Sequence, residues 1–179
     1  MVDPVASARL AHRALFLGLA ILIFFVRLLP LSTMPVVFPG PDLLLCLTLV
    51  WVQRRPEYVP AVVVAAVFFI DDLLAVRAPG LWALLVLLGT EFLRSRETGF
   101  RDLPFLLEWA VTSLVIVVIA IANRLVLALF VVPQTGLGLT LMQVLATIAA
   151  YPVVVFVSHF AFGLRKAATG EVDALGHRL

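Results

Sequence analysis

Apolar residues run in blocks along this chain, and proline, glycine and clustered charge make the breaks between them. Six blocks stand out, at 12–29, 42–53, 58–75, 80–94, 104–132 and 137–163. In lipid, uninterrupted apolar chain satisfies its backbone hydrogen bonds as helix, because the surroundings offer no partner. The pattern therefore predicts an all-α integral membrane fold, a bundle of six transmembrane helices spanning 1–166, with a short polar tail at 167–179. Two blocks have unusual lengths. The second is about 18 Å long at 1.5 Å per residue, against a hydrocarbon core of about 30 Å. It follows the proline-rich segment 30–41, with Pro30, Pro35, Pro39 and Pro41, which is expected to be non-helical chain packed against protein. The fifth block is longer than one crossing needs, so it is tilted, bent or continues past the membrane.

Composition strengthens this picture. With 63% hydrophobic and 13% charged residues, and a mean hydropathy of +1.14, the chain lacks the polar surface of a soluble domain. The net charge of +2 does not imply a nucleic-acid partner, because the cations sit where membrane topology explains them. With the N-terminus inside, one side receives Arg9, Arg13, Arg54, Arg55, Arg94, Arg96, Arg101, Arg165, Lys166 and Arg178, and the other only Arg77. Arg27 and Arg124 fall within or at the ends of spans. That bias requires an even number of spans and puts both termini in the cytoplasm. Arg9 and Arg13 before an apolar stretch imitate a signal peptide, but no small-x-small cleavage site follows, so the segment is read as an uncleaved first span. The lone Cys46 lies within an apolar run and has no metal-ligand spacing around it.

Ionisable residues at membrane depth are the first places to look for function. Asp71 and Asp72 sit near the outer end of the third span. Neighbours on a helix diverge by about 100°, so the two do not form a dyad; one is expected inward and the other at the interface. A proton relay or catalytic acid is one reading. A buried hydrogen bond, or pairing with Arg27 or Arg124 at similar depth, is favoured. Asp42 follows Gly40-Pro41 at the start of the second span, where a carboxylate caps exposed amides.

In the fifth span Glu108, Thr112 and Asn123 lie within about 60° of one another, and in the sixth Gln143, Thr147, Tyr151 and Ser158 lie within about 80°. Such polar stripes serve helix packing in lipid or line a transport path, and packing is the favoured use. His159 is a lone interfacial histidine. No Gly-x-Ser-x-Gly, His-Glu-x-x-His or Walker signature is present, and neither a metal nor a cofactor is expected.

One stretch is more specific. Gly40-Pro41-Asp42 opens a span that runs to Trp51-Val52-Gln53-Arg54-Arg55-Pro56-Glu57; the next span ends Asp72-Leu73-Leu74, and Pro79-Gly80-Leu81-Trp82 follows. This order resembles the MreD family of bacterial rod-shape-determining membrane proteins, most densely over 40–96. The basic end Leu93-Arg94-Ser95-Arg96, and Pro152 in the last span, also fit. The chain departs from the family's pattern in carrying Phe68-Phe69-Ile70 where a Gly-Leu pair often precedes the aspartate, and Asp71 has no counterpart there.

The resemblance implies a non-catalytic scaffold of the cell-elongation complex in the bacterial inner membrane. Its partners would be MreC, the MreB filament, and the glycosyltransferase and transpeptidase that build sidewall peptidoglycan. It also implies a bundle like the substrate-binding subunits of energy-coupling-factor transporters. The candidate partner-binding or structural residues are Asp42, Trp51, Arg54, Arg55, Pro56, Asp72, Pro79 and Gly80. On this reading Arg54 and Arg55 present two cations at the inner surface, to an acidic partner segment or to anionic membrane lipid. A vitamin-type transporter subunit is the alternative, and an enzyme using Asp71 or Asp72 ranks below both.

Overall fold

The computed structural model describes residues 4–29, 39–96 and 104–163. Among them the chain forms six α-helices, one 3-10 turn and no strand. The helices are α1 (Pro4–Leu28), α2 (Leu43–Arg54), α3 (Ala61–Leu74), α4 (Leu81–Ser95), α5 (Phe105–Leu129) and α6 (Leu137–Phe162), and the 3-10 turn Pro56–Tyr58 follows α2. Each apolar block of the sequence thus carries one helix, although α1 starts at Pro4, well ahead of the block at 12–29. The surplus of the fifth block is accounted for, since α5 stops at Leu129 and Phe130, Val131 and Val132 make the turn beyond it. Pro30, Pro35, Arg101, Arg165, Lys166, Arg178 and the tail 167–179 lie outside the described residues.

Three segments, Arg9–Leu28, Phe105–Leu129 and Leu137–Phe162, are long and apolar enough to cross a bilayer, and they make this a multi-pass membrane protein. The other three helices have 12, 14 and 15 residues, about 18–22 Å of helix.

The short α2 owes its position to its composition. It is apolar on every side, and its residues from Leu44 to Val52 are all buried, as befits a helix enclosed by protein. The other helices form an arc around it in the order α1, α3, α4, α5, α6, each touching the next, and α2 packs most closely against α6 and then α4. Trp51 closes the arc, its ring 5.6 Å from that of Phe16 on α1 and 6.2 Å from that of Phe162 on α6. Enclosure resolves the length mismatch, because α2 meets protein and not lipid along its length. The outward faces of α1, α5 and α6 expose Ile21, Phe25, Leu125, Phe156 and Phe160.

Two joints show how sequence details set the packing. Gly89 on α4 lets α5 come close, for a β-carbon there would stand 2.8 Å from Cδ1 of Ile119. Pro152 lies inside α6 and has no N–H to donate, which orphans the carbonyl of Ile148 four residues earlier. The indole Nε1 of Trp109 on α5 donates to that oxygen at 3.0 Å. In lipid a freed carbonyl must be satisfied from a neighbouring helix, and this bond ties α5 to α6.

Candidate functional site

Two polar clusters lie at opposite ends of α2, and a cavity adjoins the first. At the N-terminal end, Oδ1 of Asp42 accepts from the Leu45 backbone N–H at 3.1 Å, capping the helix. The same oxygen meets Nη2 of Arg27 at 2.9 Å, while Nη1 of Arg27 donates to Asp71 at 2.8 Å. Arg77, in the turn after α3, pairs with Asp71 and lies 3.6 Å from Asp72. Asp72 turns its other oxygen to the start of α4, accepting from the N–H groups of Gly80 at 3.0 Å and Ala83 at 3.2 Å. A carboxylate there satisfies amides that the helix cannot, and complements its dipole. Gly80 makes this possible with φ +86°, the left-handed region.

Three carboxylates and two guanidiniums thus link α1, α2, α3 and α4. Both Asp71 and Asp72 are buried. The expectation that one would face the interface is corrected: divergence by a helical step sends Asp71 toward α1 and Asp72 toward α4, and both directions are inside the arc. Arg27 supplies the partner across helices, whereas Arg124 does not reach the aspartates. Pro79 is exposed in the turn ahead of Gly80.

At the C-terminal end of α2, Nε2 of Gln53 donates to the Thr112 hydroxyl at 2.7 Å. The Tyr151 hydroxyl donates to Glu108 Oε1 at 3.2 Å and lies 3.4 Å from Gln53 Oε1. Arg54 approaches the same Glu108 oxygen at 3.7 Å, its side chain only 10% exposed. The reading of Arg54 and Arg55 as paired surface cations is therefore corrected. Glu108 is buried, and an ionised carboxylate removed from water needs a cation beside it, so Arg54 turns into the bundle. Arg55 stays at the turn, 3.5 Å from Glu57.

That turn is clamped from two sides. Arg13 on α1 donates to the Glu57 carbonyl through Nη2 at 3.0 Å and Nε at 3.3 Å. Arg94 on α4 donates to the Val59 carbonyl at 2.7 Å. Pro56 opens the 3-10 turn at its first position, where a missing N–H costs nothing.

The polar stripes of α5 and α6 divide between the two ends. Glu108, Thr112 and Tyr151 belong to the Gln53 cluster, whereas Asn123, Gln143 and Thr147 line the cavity. Thr147 also docks α2, accepting from the Asp42 N–H at 3.0 Å and, through its carbonyl, from the Cys46 thiol at 3.3 Å. Ser158 is buried four residues before Phe162. His159 packs edge-on to Phe160. Sequence reasoning missed Arg77 as an ion-pair partner, having counted it only as a topological outlier. Its position five residues after Asp72, with a helix end between, was the available signal.

The cavity has a volume of about 450 Å³ and is bounded by the start of α2, the α3–α4 turn, the end of α5 and the start of α6. Among the described residues no group of three His, Cys, Asp or Glu side chains is arranged to hold a metal ion. These features define a multi-pass helical membrane protein with two internal charge clusters. Comparison of the chain with protein-family models, with curated proteins and with solved structures gave no match.

Proposed function

We propose that this chain is an MreD-like, non-catalytic scaffold of the bacterial cell-elongation complex, held in the inner membrane with both termini in the cytoplasm. The observation that carries the reading is where the resembling elements fall. Asp42 caps α2 and ties it to Arg27 on α1, Arg54 ties its other end to Glu108 on α5, and Asp72 with Gly80 joins α3 to α4. Residues spent on holding the bundle together suit a part whose task is to present a shape.

The helical faces left over are apolar and broad, which suits partners met within the bilayer, MreC first and through it MreB and the sidewall synthases. The orientation rests on the cations. Arg9, Arg13, Arg54, Arg55, Arg94 and Arg96 belong to one end of the helices; at the other end lie three, Arg27 and Arg77, which are paired with aspartates, and Arg124, which bonds the α5–α6 turn. The cationic end would face the cytoplasm. On this reading α2, α3 and α4 complete a six-helix bundle like those of energy-coupling-factor substrate-binding subunits.

The test is recovery of the tagged protein from its host membranes in mild detergent, with mass spectrometry of what accompanies it. MreC and the elongation synthases are expected. Recovery of a transporter's ATPases and coupling subunit instead would replace this reading with the transporter one.

A further inference from the structure

The cavity at the N-terminal end of α2 has a charge balance that the helix packing does not require. Three charged residues line it, Asp42, Arg77 and Arg124. Two are committed: Asp42 to Arg27, and Arg77 to Asp71 and Asp72. Arg124 has no carboxylate partner among the described residues. Its hydrogen bonds run to the Thr135 carbonyl at 3.1 Å and the Thr140 hydroxyl at 2.8 Å, and both leave from Nη1. These two bonds clamp the α5–α6 turn and account for part of the guanidinium. The Nε and Nη2 groups remain, and that edge of an arginine grips a carboxylate or phosphate through two parallel bonds.

A guanidinium with no carboxylate in contact, set in a half-buried, partly apolar hollow, favours an anion at its free edge, because little water competes there. The lining also includes apolar side chains, Leu81, Trp82 and Ile116 among them. The volume of about 450 Å³ lies within the range of about 300–1,000 Å³ typical of ligand pockets.

We infer that this cavity is a binding site for a singly anionic headgroup carried on an apolar body, with Arg124 as the anion's partner. The inference does not depend on the scaffold reading, since it rests on the cavity and on the Arg124 edge that the turn clamp leaves unused. The same chemistry is offered by a free aryl or alkyl carboxylate and by an anionic phospholipid.

Thermal unfolding of the purified full chain in neutral detergent tests it with two probes. The first is 1-naphthoate at millimolar concentration, with 1-naphthalenemethanol as the uncharged control. The second is reconstitution in phosphatidylglycerol against phosphatidylcholine bilayers. A rise in Tm with naphthoate but not the alcohol assigns the site to a free carboxylate. A rise confined to phosphatidylglycerol assigns it to lipid. In either case the effect should vanish in Arg124→Gln. It should also vanish in Ala120→Phe, which fills the cavity and leaves the arginine in place, so that loss of binding is separable from loss of the turn clamp. No anion-specific shift with either probe, or an equal shift in wild type and both variants, overturns the proposal.

Discussion

The bond between Trp109 and the Ile148 carbonyl exists because Pro152 withholds an N–H, and that causal link can be measured. Trp109→Phe keeps an aromatic ring between α5 and α6 but removes the donor 3.0 Å from the orphaned oxygen. An acceptor left unpaired away from water costs about 1–3 kcal/mol, whereas hydrogen bonds between membrane helices average about 0.6 and reach about 1.7 kcal/mol. Because both residues are half-buried, about 1 kcal/mol is expected, or about 2–4 °C in Tm for a chain of this size. Pro152→Ala supplies the missing N–H and lets the helix satisfy its own carbonyl. In that background Trp109→Phe should cost about 0.3 kcal/mol or less, giving a coupling near 0.7 kcal/mol in a double-mutant cycle. Thermal unfolding in detergent, followed by far-ultraviolet circular dichroism, reads all four corners. Equal losses from Trp109→Phe with and without the proline would refute the reasoning, because the indole would then act through packing alone.

Three other perturbations probe the joints of the fold. Asp72→Ala removes the acceptor for the Gly80 and Ala83 amides and one carboxylate beside Arg77, so a loss of about 2–3 kcal/mol is expected, with Asp72→Asn retaining part of it; unchanged thermal stability in the alanine variant would show that solvent caps α4 instead. Arg54→Ala removes the cation 3.7 Å from the buried Glu108 carboxylate and should cost about 3 kcal/mol, with partial recovery in the Arg54→Ala, Glu108→Gln double variant as the check on thermal unfolding. Val76 and Val131 are β-branched residues at φ +50° and +54° that are 91% and 88% exposed, so replacing each with Asn should raise stability by about 0.5–1 kcal/mol; a fall in Tm would mean that the exposed valines make contacts worth more than the strain.

Much of this architecture is legible in the amino-acid sequence, for a physical reason. Each apolar block marks a helix because apolar chain away from water has no other way to satisfy its amides. Among the described residues the existence of each helix therefore follows from hydropathy, while its ends do not: α1 starts at Pro4, ahead of its block, and α5 stops at Leu129, short of its own. What hydropathy does not encode is rotation and depth. The stripes on α5 and α6 look continuous on a helical projection, yet Glu108 and Asn123 are 15 residues and about 22 Å apart along the axis, far enough to join different clusters. The direction of Arg54 was hidden for a related reason. Beside Arg55 and a proline it looks like part of a surface turn, and only the position of Glu108 on another helix draws it inward. Pro152 was visible in the last span, but the bond from Trp109 to the carbonyl it orphans depends on the register of α5 against α6, which no local pattern carries.

The enclosure of α2 has a consequence for how the protein is made. A ribosome delivers α2 well before α6, yet α6 is the neighbour that α2 packs against most closely and the source of the Thr147 contacts at its start. Until about a hundred further residues have been synthesised, the α2 segment has neither its final neighbour nor the length to span the membrane alone. The helix α6 therefore acts as a keystone delivered long after the segment it houses. A chain cut short before Leu137 would lack it and leave α2 unhoused, giving membrane quality-control proteases an exposed segment by which to recognise an unfinished molecule.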